Sequence, residues 1–347
     1  MIQLIQRNEL GETMKKVCLI HTGGTIGMAR TKNGYAPKAG YLKSILKDMK
    51  ELESDELPSF DLVEYDPLLD SSNISVAEWV KMAGDIKDKY NDYDGFVILH
   101  GTDTMAYTAA ALSYMLEGLA KPVILTGSQI PLCEIRSDGN DNLITSLMLA
   151  GFYQVPEVCL FFGNQLFRGN RATKVSSDDL IAFDSPNYPP LADAGVRIHL
   201  NDMAIRRPGA QLKLSLFEAH QIAVLKIFPG IQFEAFENIL TANLKGIVFE
   251  AYGAGNIPDT DGALKKFLAK ANENGTVIVV CTQCLRGSAA IGEYETSLSF
   301  ANAGAVSGYD MMVEAAVTKL YYLLSLGCGI DEIKRLMESN LRGELSN

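Results

Sequence analysis

Lys16-Val-Cys-Leu-Ile-His-Thr-Gly-Gly-Thr-Ile-Gly27 is the stretch on which the reading of this chain turns. Residues 17–21 have the length and apolar composition of a strand buried on both faces, as in a parallel sheet covered by helices. A glycine-rich, hydroxyl-bearing turn follows at once. Working outward, the same strand, turn and helix unit recurs. Strands are predicted at 17–21, 60–65, 96–100, 123–126 and 158–162, with helices near 40–52, 75–90, 105–118 and 137–153. The third helix is expected to be opened by Thr102 and Asp103, both good capping residues, and closed near Gly118. This alternation is the signature of α/β architecture.

At 347 residues the chain exceeds the usual size of a single core, so two packed domains are expected. The pattern loosens into Pro, Asn and Asp at 184–190 and again at 206–209, with a hairpin between. The division is therefore a loose extension at 1–13, with Met14 a second candidate start, an N-terminal domain at 14–205, a linker at 206–222 and a C-terminal domain at 223–347. The second domain carries strands at 223–227, 246–250 and 277–281 and helices near 260–273, 309–325 and 330–340. The predicted fold is α/β in two domains: a larger N-terminal one, whose mostly parallel sheet is flanked by helices, and a smaller C-terminal one.

Composition excludes several classes of partner. A formal net charge of -11 argues against nucleic acid and anionic membranes. No window approaches the roughly 18 apolar residues of a membrane span, and the scattered polar residues before Met14 interrupt any signal peptide. Cys18, Cys133, Cys159, Cys281, Cys284 and Cys328 lie mostly inside apolar runs, as buried free thiols do, and a reducing, cytoplasmic location follows. His21, His100, His199 and His220 show no ligand spacing, so no metal is expected. Cys281-Thr-Gln-Cys284 has redox spacing but no second pair, and it is read as a buried strand end near a ligand pocket.

In a parallel α/β sheet, ligands collect beyond the carboxyl ends of the strands. The turns expected there are His21-Thr-Gly-Gly-Thr-Ile-Gly27, Asp70-Ser-Ser-Asn73, His100-Gly-Thr-Asp-Thr-Met105 and Thr126-Gly-Ser-Gln129. They are rich in hydroxyls yet lack the Gly-x-Gly-x-x-Gly spacing, any Gly-Lys-Ser/Thr triplet and the Gly-x-Ser-x-Gly elbow. A threonine hydroxyl attacks an amide only when a neighbour removes its proton and donors stabilise the oxyanion. Thr25 and Thr102 supply hydroxyls, Asp103 a carboxylate and Lys174 an ammonium. Each has a plainer reading beside this one: Thr25 and the Thr102-Asp103 pair as caps, Lys174 as a solvated lysine, Tyr35 as a loop tyrosine, Ser71 and Ser72 as turn residues.

Thr22-Gly-Gly-Thr-Ile26 and His100-Gly-Thr-Asp-Thr-Met105 together resemble the two signature motifs of the bacterial-type L-asparaginases, in the cytoplasmic type I branch. The resemblance extends through Arg136-Ser-Asp-Gly139, Arg168-Gly-Asn-Arg-Ala-Thr-Lys174, Tyr252-Gly-Ala-Gly-Asn256 and Thr282-Gln-Cys284. It implies hydrolysis of L-asparagine to L-aspartate and ammonia through an acyl-enzyme on Thr25, with no metal or organic cofactor. Tyr35 falls on the tyrosine of a mobile lid loop, inside Lys32-Asn-Gly-Tyr-Ala-Pro37. Thr102, Asp103 and Lys174 fall on the second catalytic set. Asp103 also grips the substrate α-ammonium, while Asp70, Ser71 and Ser72 receive the α-carboxylate and amine. The resemblance further implies a homodimer or homotetramer with the site at the subunit interface, across which Asn256 reaches.

Two departures qualify the resemblance. Enzymes controlled by asparagine at a second site carry arginine where this chain has Glu250, which predicts loss of that control although Thr282 and Cys284 of the same pocket are present. Glu293 and Glu295 lie near the region of an acidic residue that supports the lid tyrosine in some relatives, and neither is assigned. Two other functions share the pattern: the amidase subunit of a tRNA-dependent amidotransferase, which usually carries an extra N-terminal module, and a non-catalytic aspartate- or asparagine-binding protein.

Overall fold

The structure is a computed structural model that describes residues 15–259, 262–292 and 297–346. The extension at 1–13 and the two glutamates at 293 and 295 lie outside the described residues. The apolar runs form strands buried on both faces, as their composition requires: Val17–Ile20, Phe96–Leu99 and Val123–Leu125 are all fully buried.

Eight strands make the first sheet. They are β1 (Lys16–Gly23), β2 (Ser59–Leu69), β3 (Gly95–Leu99), β4 (Val123–Thr126), β5 (Val158–Phe162), β6 (Gln165–Arg168), β7 (Ala192–Ala194) and β8 (Ile198–Leu200). Their spatial order is β8-β7-β6-β5-β4-β3-β1-β2. The β2, β1, β3, β4 and β5 strands run parallel, and β6 to β8 extend the sheet antiparallel. The β7–β8 hairpin is the one expected between the two Pro- and Asn-rich segments. Because β1 has β2 on one side and β3 on the other, the winding direction reverses there. The crevice beyond the ends of β1 and β3 is a topological switch point, where open α/β sheets bind ligands.

A second sheet holds four parallel strands in sequence order: β9 (Gln221–Lys226), β10 (Leu244–Ala251), β11 (Val277–Thr282) and the two-residue β12 (Val306–Ser307). The chain therefore has the two-domain α/β architecture expected of it. The domains share a core, since one apolar cluster joins Ile20 and Ile98 of the first sheet to Val248 and Val279 of the second. Helix Met105–Met115 crosses that junction against Val313–Ser325, and the rings of Tyr114 and Tyr322 stack 5.7 Å apart. Helix Val76–Lys89 is set by a capping box, with Ser75 and Glu78 satisfying each other's backbone amides.

Three expectations are corrected. The helix after β3 starts at Met105 with Thr104 as its N-cap, and no side chain caps it. Thr102 and Asp103 stand upstream, and their side chains are bonded elsewhere. The segment taken as a lid loop is a hairpin, Met28–Thr31 against Gly34–Pro37, with Arg30 opposite Tyr35. Gly34 takes φ 110°, a left-handed backbone open to glycine, and the Thr31 hydroxyl donates to its carbonyl at 2.7 Å. Finally, Cys133 and Cys284 are exposed because each sits in a turn past the apolar run, whereas Cys18, Cys159 and Cys281 are buried.

Candidate active site

The first turn is drawn onto the third by glycine. A Cβ on Gly24 would overlap the backbone of Gly101, and one on Gly101 would overlap the Ser71 hydroxyl. Glycine at 24 and 101 thus lets the turns that carry Thr25, Ser71 and Thr102 pack on one another. The Thr104 hydroxyl donates to the Ser71 carbonyl at 2.7 Å and locks the last two together. Beneath them, the Trp79 indole donates to the Thr108 hydroxyl at 3.0 Å, and Thr108 meets His100 Nε2 at 2.9 Å. His100 Nδ1 lies 2.7 Å from the Gly101 carbonyl oxygen, which requires the proton on Nδ1. Complete burial lowers the His100 pKa to about 4, so the ring is a neutral strut at ordinary pH.

Upon this base sits a charged cluster. Lys174 Nζ donates to Thr102 Oγ1 at 2.9 Å and to Asp103 Oδ1 at 2.8 Å. Thr102 is 7% exposed, and its own proton points to Gln129 Oε1 at 3.2 Å. Gln129 is fixed in turn by Asp138, whose carboxylate accepts the amides of Gln129 and Ile130 at 3.0 to 3.1 Å. The strand end that presents Lys174 is anchored from behind. Thr173 donates to the buried Glu314 carboxylate at 2.7 Å, and Arg171 reaches the Gly343 carbonyl, Asp310 and Ser346.

Thr25 opens a single 3-10 turn, Thr25–Gly27, and its hydroxyl makes no hydrogen bond among the described residues. His21 lies directly under Gly27 and holds Glu64 at 3.1 Å, with burial lowering its pKa. Tyr35 is 44% exposed on the hairpin and donates to Glu134 Oε1 at 2.8 Å; that bond to a carboxylate raises the phenol pKa.

Asp70 is exposed and caps the 3-10 turn Ser71–Asn73 by accepting the Ser72 amide at 3.0 Å, so one of its oxygens is already engaged. Ser71 is buried and Ser72 exposed. Asn256 is not part of this cluster: it closes the tight turn Tyr252–Asn256 after β10, in the second sheet. Glu250 is the penultimate residue of β10, with Lys226 3.8 Å away; Thr282 ends β11 and the exposed Cys284 follows it, the Cys284 amide donating to the Thr282 hydroxyl. Cys281 is buried, and its thiol is pushed up to about 12 by desolvation, so the Cys281–Cys284 pair is unsuited to redox work.

Gln129, Asp138 and Glu134 are participants that the sequence left unassigned. Gln129 was detectable as the last residue of a strand-end turn. Glu134 has no such signal, because its pairing with Tyr35 spans 99 positions.

Hydroxyls, an ammonium and a carboxylate at the switch point of a parallel sheet define a hydrolase of the α/β class. Residues 16–206 match the family model described as "Asparaginase, N-terminal" and residues 221–337 that of the "Glutaminase/Asparaginase C-terminal domain". The chain belongs to the asparaginase family. It is 47% identical to L-asparaginase 1 of Escherichia coli (strain K12), over 96% of this chain and 98% of that one. The crystal structure of L-asparaginase I from Vibrio cholerae superposes with a TM-score of 0.89 at 44% identity, covering 96% of this chain and all of the other. The thermostable L-asparaginase of Thermococcus kodakarensis gives 0.86 at 32% identity, covering 96% and 99%.

Proposed function

We propose that this protein hydrolyses L-asparagine to L-aspartate and ammonia through an acyl-enzyme on Thr25. The observation that carries this reading is the Lys174–Thr102–Asp103 cluster, packed through Gly24 and Gly101 against a turn in which the Thr25 hydroxyl makes no hydrogen bond among the described residues.

The carboxamide lies between Thr25 and Thr102. Thr25 Oγ1 bonds to the amide carbon while its proton passes to the Tyr35 oxygen, and Tyr35 releases its own proton along the 2.8 Å bond to Glu134. Backbone amides of the glycine turn hold the oxyanion. The carbon–nitrogen bond then breaks, and ammonia leaves with a proton delivered through Glu134 and Tyr35. Water held by Thr102, with Lys174 and Asp103 behind it, attacks the ester carbon as its proton passes through Tyr35 to Glu134; the bond from carbon to the Thr25 oxygen then breaks and that proton returns to Thr25 Oγ1. Asp103, Asp70, Ser71 and Ser72 hold the α-ammonium and α-carboxylate.

Asn256 serves the site of a neighbouring subunit in a homodimer or homotetramer. The six unpaired thiols suit a cytoplasmic, reducing location. Because Glu250 replaces a carboxylate partner with a like charge, the dependence of rate on L-asparagine is hyperbolic. Ammonia release from L-asparagine, with hydroxylamine present to trap the acyl-enzyme as aspartyl hydroxamate, tests the scheme. A folded protein that yields neither product refutes it.

A further inference from the structure

Thr102 is held on two sides by groups of opposite hydrogen-bonding sense. The Lys174 ammonium has donors and no acceptor, so at 2.9 Å the Thr102 oxygen must accept from it. On the other side lies Gln129 Oε1, 3.2 Å away. The two ends of a glutamine amide are told apart by their partners, and here the partner is unambiguous: Gln129 Nε2 stands 3.2 Å from the Asp179 carbonyl, which accepts and cannot donate. The flipped amide would set two oxygens against each other. Gln129 Oε1 therefore faces Thr102, and the single proton of the Thr102 hydroxyl points to it.

The surroundings of this contact keep that sense in place. The Asp138 carboxylate accepts the Gln129 amide through both its oxygens, at 3.0 and 3.1 Å, and also takes the Ile130 amide and the Asn142 side chain. Asp179 sits in a turn closed by Ser176, whose hydroxyl oxygen accepts the Asp178 and Asp179 amides at 3.2 and 2.8 Å. That turn lies between the two paired segments Thr173–Lys174 and Phe183–Asp184. One hairpin thus supplies both controls on Thr102, the lysine directly and the Asp179 carbonyl through Gln129.

A hydroxyl oxygen has one proton and two lone pairs. With its proton on Gln129 and one lone pair on Lys174, Thr102 Oγ1 keeps a single lone pair to offer a ligand. It can accept there and cannot donate. L-Asparagine and L-aspartate differ at one place only, where the substrate has an amide nitrogen with two donors and the product a carboxylate oxygen that accepts.

We propose that Gln129 is a positioning residue that fixes the sense of the Thr102 hydroxyl, and that the acceptor so created selects the side-chain amide of L-asparagine over the carboxylate of L-aspartate. This rests on the reading that the carboxamide lies between Thr25 and Thr102. The remaining lone pair of Thr102 takes an N–H of the substrate amide, then of the departing ammonia, then an O–H of the water that follows. The product carboxylate meets it lone pair to lone pair and is released. Without the acceptor at 129 the Thr102 proton turns to the cleft and holds the product.

Titration calorimetry of the full chain carrying Thr25→Ala, with L-asparagine and L-aspartate at neutral pH, gives a dissociation constant for each without turnover. The readout is their ratio. Adding Gln129→Leu is expected to tighten L-aspartate relative to L-asparagine by about tenfold or more, the effect of one hydrogen bond to a charged group. Gln129→Met, of the same length, does the same. Gln129→Glu still accepts the Thr102 proton, and it leaves the ratio at the parental value or moves it further towards L-asparagine. A merely structural role for Gln129 weakens both ligands alike. An unmoved ratio in Gln129→Leu and Gln129→Met, or a ratio in Gln129→Glu that follows theirs, overturns the proposal. A parent chain with Thr25 intact that releases no ammonia from L-asparagine removes the underlying reading itself, whatever the ratios.

Discussion

The two halves of the candidate active site are built to opposite rules. Around Thr102 the charged cluster is cross-linked: Lys174 is bonded to Thr102 and Asp103, Gln129 is pinned through Asp138, and Thr173 and Arg171 are tied into the second domain. Around Thr25 the backbone is packed but the reacting side chains are held less: the Thr25 hydroxyl makes no hydrogen bond among the described residues, and Tyr35 stands 44% exposed on a two-stranded hairpin with a side-chain bond to Glu134. The contrast fits the proposed division of labour, in which the charges are held to work at low reorganisation cost and the tyrosine on the exposed hairpin closes over the substrate.

The largest expected break in this comparison is Thr25→Ala. Ammonia release falls by about 10⁴-fold or more, while the melting temperature stays put, because the lost hydroxyl makes no bond among the described residues. A mutant that melts early would show Thr25 to be a structural cap. Lys174→Met comes next. The rate drops by about 10²–10⁴-fold, and the melting temperature shifts little, since the Asp103 end of the pair is mostly exposed and screened. On the exposed side, Tyr35→Phe lowers kcat by about 10²-fold, and Glu134→Gln, which keeps an acceptor oxygen for the phenol but cannot take its proton, lowers it as much. A near-parental rate in Glu134→Gln would mean that the carboxylate only positions the phenol and that the proton leaves by another route.

The same contrast governs what could be read from the residues. The parallel strands were legible because burial on both faces demands unbroken apolar runs, as at Val17–Ile20 and Phe96–Leu99. The switch-point turns were legible because threonine and glycine crowd after those runs. The hairpin that bears Tyr35 was read as an irregular loop, since Met28 to Pro37 is mostly exposed and lacks the alternation that marks a strand. Thr102 and Asp103 looked like helix caps, for local propensity cannot foresee a lysine 72 positions away that engages them. Tertiary partners of this kind, Glu134 for Tyr35 and Glu314 for Thr173, leave no mark at short range.

The smallest predicted effect probes the anchor behind Lys174. Burial raises the pKa of Glu314, the Thr173 hydroxyl and a backbone amide oppose the shift, and the charge of Glu250 adds to it. The folded chain therefore holds this proton to higher pH than the unfolded chain does, and stability from this group is complete below the ordinary glutamate range near ~4.3. It is lost as pH rises through the folded value. Glu314→Gln keeps an oxygen for Thr173 but cannot ionise, so its stability gains on the parent as pH rises above that range, with a slope difference of at most about 1.4 kcal/mol per pH unit. Denaturant unfolding at a series of pH values between 4 and 8 measures the slope. Thr173→Val cuts the same link from the other side, lowering kcat with little change in KM as Lys174 loses its alignment. Parallel pH curves for parent and Glu314→Gln, together with an unaltered kcat in Thr173→Val, would reduce the buried contact to packing and remove the distinction between a clamped half and a free one.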